Sequence, residues 1–300
     1  MKWRLSFSLL NSLWSCSWPE SLFFHVSVFW WIVPFKPGID AEKSDNYIVV
    51  HIMTGVYLGL ASLLVLAFSL AAFKNPGYVD WDPQIDFQAV LDDTDPLNLC
   101  PDCKIIRTPR SWHCNICNKC VERFDHHCPY INNCVGYRNH QYFLFFITMV
   151  VINITFHLVL TIWSIIIIIF SDYELEDHTW TTIQGLGHTG FYVFFSISVA
   201  INGCLGGFFI IPTLLLMVVH MRNFSKNMTT NELYSRKAIA QSIEQTNVSP
   251  SQEQGSESHI QTSSQTSFLD YDSGNCFKNC FRMCSYTPPS QNDVLNEISQ

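Results

Sequence analysis

Ten thiols and imidazoles fall between residues 99 and 134: Cys100, Cys103, His113, Cys114, Cys117, Cys120, His126, His127, Cys128 and Cys134. Thiolates and neutral imidazoles are the ligands zinc takes, and C-x-x-C pairs give the tight chelating turns that its structural sites need. Two tetrahedral ions with closed coordination would use all but two of these groups. In small modules structural zinc supplies about 10–16 kcal/mol of folding free energy, and this stretch has few large apolar residues with which to build a core instead. Counting does not say which two groups are left over. The order Asp125-His126-His127-Cys128 suggests a use for them, because a cysteine is nucleophilic as its thiolate and an imidazole oriented by a carboxylate is the ordinary device for taking the proton. Asp125, His126 and Cys128 are of the right types within one turn of chain, and His127 and Cys134 can serve as ligands that hold that turn rigid. On the cluster alone, the alternative that His126 and Cys128 are spare ligands of a purely structural module stays open.

The chain that must position these groups has 300 residues, 48% hydrophobic and 14% charged, with the apolar residues bunched in long runs and the charges between them. That is the distribution of a membrane protein. The runs 47–73, 143–170 and 191–219 reach the roughly 20 apolar residues of a helical span. The run 21–35 is shorter, and spans if the bilayer thins or the helix extends back past Pro19. The fold class expected is an all-α polytopic membrane protein: four transmembrane helices with a cytosolic, Cys-rich two-zinc module between helices 2 and 3.

The net charge of -8 disfavours a nucleic-acid partner; for topology, the placement of Lys and Arg beside the spans matters more than their sum. The 171–190 connection has Asp172, Glu174, Glu176 and Asp177 with no Lys or Arg, and Lys36 and Lys43 in 36–46 face Asp40, Glu42 and Asp45. Basic residues concentrate in 74–142 and again after the last run, at Arg222, Lys226, Arg236 and Lys237. By the positive-inside rule both ends and the central loop are cytosolic. There the environment is reducing, and paired cysteines mean metal, not disulfides. Lys2 and Arg4 followed by the apolar 5–14 resemble a short secretory signal, whose cleavage would reverse the parity of the spans.

The organisation expected is a cytosolic segment 1–20, transmembrane helices 1 and 2 within 21–73, a linker 74–98 and the Cys-rich domain 99–142. Transmembrane helices 3 and 4 lie within 143–219, followed by a cytosolic segment 220–241, a Ser/Gln-rich disordered linker 242–267 and a C-terminal cytosolic segment 268–300. No internal repeat stands out. In the last segment Cys276, Cys280 and Cys284 have the spacing of one helical face, suited to acylation, to an interfacial helix or to ordinary packing.

The run Cys100-Pro-Asp-Cys103, His113-Cys114-Asn-Ile-Cys117-Asn-Lys-Cys120, Asp125-His126-His127-Cys128-Pro129 and Asn132-Asn133-Cys134-Val135-Gly136, with Asn139 and Phe143 beyond it, resembles the DHHC family of protein S-acyltransferases. Asn75-Pro76-Gly77 looks like the family's Asp-Pro-Gly element, Thr229-Thr230-Asn231-Glu232 matches its Thr-Thr-x-Glu element, and Asn279 is placed like its C-terminal asparagine. The resemblance implies zinc on Cys100, Cys103, His113 and Cys120, and a second zinc on Cys114, Cys117, His127 and Cys134. It implies Cys128 as the acyl acceptor, His126 as general base and Asp125 as its orienting partner, with Thr230 and Asn279 as structural support. Acyl-coenzyme A, a lipid bilayer and cysteine-containing protein substrates are the implied partners, and a helical tepee the implied holder of the acyl chain. Asn75 in place of the usual acid, and Tyr130 where Trp is usual, depart from the pattern outside the thiol chemistry.

A chain of about sixteen carbons gains on the order of 10 kcal/mol from burial, so such an enzyme must handle it at the membrane boundary. Asn153, inside the third span, could line an acyl cavity or make an interhelical hydrogen bond. Lys104, Arg107, Arg236 and Lys237 could meet coenzyme A phosphates. Two other classes compete with this one. A silent zinc adaptor would lack one of the three reactive groups, all of which are present, and a transporter would carry ionisable residues in several spans, where little beyond His51 and His157 is found. The topology predicts that the sequons at Asn153, Asn223, Asn227 and Asn247 stay unmodified. A glycosidase-sensitive mass on Asn223, Asn227 or Asn247 would overturn it.

Overall fold

The computed structural model describes residues 45–91, 98–170, 188–247 and 271–298. The span expected at 21–35 lies outside the described residues, as do 171–187 and 248–270. The chain divides into two compact units.

The first unit is built from α1 (Asp45–Phe73), most of α3 (His140–Phe170) and most of α4 (His188–Ser225). Among the described residues three stretches, His51–Phe73, His140–Trp163 and Ser196–Ser225, are long and apolar enough to cross a membrane. Their outward faces carry Val65, Trp163 and Leu215, all exposed, as lipid-facing helices require. The hydroxyls of Ser62, Ser69, Thr148, Thr161 and Thr213 each return to the carbonyl four residues back, which satisfies these five donors within their own helices. Small residues let α3 and α4 approach: Gly206 faces Leu158 and Gly203 faces Thr161. A polar pair, His157 Nε2 and Asn202 Oδ1 at 3.3 Å, joins the same two helices. Asn153 is buried and donates to the carbonyls of Met149 at 2.8 Å and, across to α1, Leu60 at 3.4 Å. Its amide thus makes the interhelical bond that was one of its two expected uses. α4 continues to Ser225, past the boundary expected at 219.

The second unit corrects the all-α expectation. Besides α2 (Phe87–Val90), it holds three two-stranded antiparallel hairpins: β1 (Leu99–Cys100) with β2 (Ile105–Ile106), β3 (Trp112–Cys114) with β4 (Lys119–Val121), and β5 (His126–Cys128) with β6 (Asn133–Val135). In the first two hairpins a C-x-x-C loop reverses the chain and brings its flanks together; in the third Cys128-Pro129-Tyr130-Ile131 makes the same turn. Lys104 and Asn118, each directly after the second cysteine of such a loop, take the left-handed backbone, with φ 54° and 52°. The unit also contains α5 (Thr230–Asn247), which runs past the expected end at 241, and the short helices α6 (Cys276–Cys284) and α7 (Gln291–Ile298). α7 was not foreseen. Its Val294, Leu295 and Ile298 close a small core with Ile85, Leu99 and Ile106, and Gln291 Oε1 accepts from the Ile106 amide at 3.2 Å.

Chain 76–79 is woven between hairpin and loop: Glu122 N–H donates to Gly77 O, Val79 N–H to Cys120 O, and Arg138 N–H to Pro76 O. Asn75 starts this segment by accepting the amides of Gly77 and Tyr78 on its Oδ1, at 2.8 and 3.0 Å. An amide oxygen does this as well as a carboxylate, which explains how Asn stands where an acid is usual. Gly77 has φ 105°, and a side chain there would overlap the Tyr137 ring. A Cβ on Gly136 would come within 2.5 Å of Pro76 O and 3.0 Å of Glu122 O, both backbone atoms that cannot swing away. Gly136→Ala is therefore expected to destabilise the protein by about 1–3 kcal/mol, read as a lowered thermal unfolding midpoint in detergent; an unchanged midpoint would contradict this packing.

Candidate active site and metal centres

Strand pleat sorts the ten thiols and imidazoles. Directly opposite residues of an antiparallel pair project to one face, and successive residues project to opposite faces. His113 pairs with Cys120 across β3 and β4, and His127 pairs with Cys134 across β5 and β6. Cys114, next to His113, points the other way. The outcome is two groups, Cys100/Cys103/His113/Cys120 and Cys114/Cys117/His127/Cys134, each of which could hold a metal ion.

The distances fit tetrahedral zinc. With zinc–sulfur bonds near 2.3 Å and zinc–nitrogen bonds near 2.0 Å, a tetrahedron has S···N edges of about 3.5 Å and S···S edges of about 3.8 Å. His113 Nδ1 lies 3.5, 3.3 and 3.8 Å from the sulfurs of Cys100, Cys103 and Cys120. In the second group His127 Nδ1 lies 3.8, 3.4 and 3.6 Å from those of Cys114, Cys117 and Cys134.

The two groups are the same arrangement used twice. Each ligand of the second lies fourteen positions after its counterpart in the first: 100 to 114, 103 to 117, 113 to 127, 120 to 134. The sequence reading missed this repeat because only the ligands and a few turn residues carry it. Extended once more, the period places Cys128 at the first cysteine of a third loop, Ile131 where its second cysteine would be, and Asn132, with φ 46°, at the left-handed position of Lys104 and Asn118. Cys128 thus occupies a ligand position whose chelating partner is an isoleucine.

β5 alternation also turns His126 and Cys128 away from His127. Cys128 is buried, and its thiol is among the groups that raise the basicity of His126, two residues away on the same face. His126 Nδ1 is 2.6 Å from Asp125 Oδ2, which leaves Nε2 for the thiol. Asp125 is enclosed. Its amide donates to Val135 O at 2.9 Å, and its Oδ1 accepts the Thr230 amide at 2.6 Å. Thr230 is the first residue of α5, so this N–H is one that no intrahelical carbonyl can satisfy, and the carboxylate sits at the positive end of the helix. Burial pushes the Asp125 carboxyl up, but the His126 bond and the surrounding imidazoles win and hold it well below the usual carboxylate range. For His126 burial works downward, while Asp125 and Cys128 raise it to about 9.

The start of α5 is fixed by a capping box. Thr229 Oγ1 accepts the Glu232 amide at 3.2 Å, and Glu232 Oε2 accepts the Thr229 amide at 2.8 Å. Glu232 also takes a bidentate pair from buried Arg110, at 2.6 and 2.7 Å. Asn279, fully buried in α6, donates to Ser225 O at the end of α4 and to Asp272, and accepts from Ser273. The opposite face of α6 exposes Phe277, Phe281 and Cys284. Tyr130 is exposed. Of the cations expected at coenzyme A, Lys104 lies in the first chelate loop and Arg107 stacks over Trp112 at 5.1 Å. On α5, Lys237 lies over Tyr234 at 5.9 Å, one residue beyond Arg236. Two buried histidines that the sequence reading left unused, His140 and His220, join Asp125 in a third compact group. The signal for His220 was available only as a lone imidazole near the end of an apolar run.

A profile of the DHHC palmitoyltransferase family matches residues 93–237. Palmitoyltransferase ZDHHC8 of Mus musculus and of Homo sapiens is 35% identical over 197 residues, 61% of this chain and 23% of the relative. Palmitoyltransferase ZDHHC5 of Canis lupus familiaris is 32% identical over 195 residues, 61% of this chain and 25% of the relative. Residues 93–237 thus resemble the DHHC family, and the match spans about a quarter of the length of these relatives.

The division of ligands makes a stoichiometric prediction. Cys103→Ala and Cys117→Ala, each touching one group, are expected to leave about one metal equivalent per chain, against two expected for the unaltered protein, measured by plasma emission on purified protein. Two equivalents in either variant would break the assignment.

Proposed function

We propose that this chain is a protein S-acyltransferase, moving a long-chain fatty acyl group, palmitoyl foremost, from acyl-coenzyme A through a thioester on Cys128 to cysteines of other proteins. The observation that carries the proposal is the 2.6 Å bond from His126 to Asp125, with Cys128 on the same face of a hairpin whose opposite face turns His127 and Cys134 into a metal-binding group. The names of the relatives support the same chemistry.

Both metal sites are assigned to zinc on their donor sets and edge lengths. Zinc bound there cross-links the hairpins and does no chemistry at the acyl group. In the resting site Asp125 holds the proton of His126 Nδ1 and the Cys128 sulfur faces Nε2. The Cys128 thiolate attacks the thioester carbonyl of acyl-coenzyme A, and the carbon–sulfur bond to coenzyme A breaks as the bond to Cys128 forms. The departing thiolate takes the Nε2 proton and leaves His126 neutral. His126 then removes the proton of an incoming substrate thiol, whose sulfur attacks the acyl-enzyme and releases Cys128 as thiolate. One thioester replaces another at each step, so the first half is readily reversible and the kinetics are ping-pong.

The proposed setting is the cytosolic face of a membrane, with both chain ends and the Cys-rich unit in the cytosol, in keeping with the Lys and Arg distribution. Lys104, Arg107, Arg236 and Lys237 are proposed to meet the coenzyme A phosphates. A rival reading as a zinc-stabilised adaptor is disfavoured because it gives the bond from His126 to Asp125 no purpose.

Purified Cys128→Ser is expected to keep two zinc ions and lose the hydroxylamine-labile acyl label, while His126→Ala slows transfer to a substrate cysteine by about 100-fold or more, the scale of a lost general base. Transfer by Cys128→Ser at the unaltered rate would place the nucleophile elsewhere and end this proposal.

A further inference from the structure

Asp125, His140 and His220 are all buried, and their ligand-type atoms lie within 4.8 Å of one another. His220 comes from the last turns of α4 and His140 is the first residue of α3. His220 Nδ1 is 3.9 Å from Asp125 Oδ2, the same oxygen that binds His126. The His220 ring also packs beside the His126 ring, with centroids 5.4 Å apart and planes inclined by 38°. His140 stands edge-on to His220 at 6.4 Å and to Phe224 at 5.4 Å. Both His140 ring nitrogens are buried without a hydrogen-bond partner among the described residues.

A hydrogen bond from Nδ1 to Asp125 fixes one atom of His126, yet the outer torsion of a histidine is soft and broad. The ring can still rock about that bond and swing Nε2 off the line shared by Cys128 and an incoming thiol. A second ring against its side removes this freedom. An aromatic hydrocarbon would also pack, but an imidazole here adds a polar nitrogen facing the carboxylate that His126 depends on. Metal binding by the trio is the competing use. It would put a cation on the Asp125 oxygen that already accepts the His126 proton, and so would disrupt the pair.

We infer that His220 is a positioning residue of the acyl-transfer site, holding the His126 ring and the Asp125 carboxylate in register, with His140 and Phe224 as its backing. This rests on the proposed acyltransferase reading and adds to it a residue that reaches the reactive turn from a membrane helix.

The test compares His220→Phe, His220→Asn and Cys128→Ser in the purified full chain, with palmitoyl-coenzyme A and a cysteine peptide, and with rates normalised to the sites that form thioester so that misfolded chains do not count. Asn keeps an N–H near the place of Nδ1; Phe keeps only the ring. His220→Phe is expected to lower kcat for transfer by roughly 10- to 100-fold, the cost of small misplacement, with KM for palmitoyl-coenzyme A unchanged and two metal equivalents retained. His220→Asn should recover most of that loss. If His220→Phe forms no thioester, His220→Asn is compared with His220→Gln, whose amide lies farther out, and equal rates would overturn the inference. So would an unaltered kcat in His220→Phe, or a third metal equivalent in the unaltered protein that His220→Phe loses. Transfer by Cys128→Ser would instead defeat the acyltransferase reading itself.

Discussion

The pairing of His127 with Cys134 across β5 and β6, both turned into the second metal-binding group, is the constraint on which the rest of the site depends. A hairpin with three-residue strands has too little hydrogen bonding to hold itself in water. The place of His127 and Cys134 in one metal-binding group fixes the register, and the register decides what lies on the other face. Because side chains alternate, fixing His127 toward the metal sends His126 and Cys128 together to the opposite side. A slip of one residue would exchange the reactive imidazole for the ligand.

The second layer of control comes from chain far away in sequence. Asp125 meets the Thr230 amide at the start of α5, and that helix start is held by Glu232, which is in turn held by Arg110. Arg110 also donates to Asn227 and lies over the Tyr271 ring at 4.2 Å, while Asn279 donates to Ser225. The segments following the last apolar helix therefore stabilise the carboxylate behind His126. A buried ion pair such as Arg110–Glu232 contributes mainly by geometry, since removing one partner leaves an uncompensated charge.

The fourteen-residue period relates structure to chemistry. Two loops of the form C-x-x-C present both cysteines to metal. The third begins with Cys128 and continues to Ile131, so its cysteine has the position and turn of a ligand but no chelating partner. A thiol in that setting, beside an imidazole, is available to react.

Much of this was legible in the residues themselves. The ligand types and the C-x-x-C spacing point to two metal-binding groups, and the long apolar runs point to spans, because each of these is local chemistry written in adjacent residues; the order Asp125-His126-His127-Cys128 left a spare-ligand reading open beside a reactive one. The strands were not legible, since runs of two or three residues show no period. Nor were α7, whose apolar face has meaning only against Ile85, Leu99 and Ile106, or the contact of His220 with Asp125. That contact joins residues ninety-five positions apart (220 minus 125), and which lone histidine meets which carboxylate is decided by where helices end in space. Local spacing specifies the reacting groups; only tertiary packing specifies what aims them.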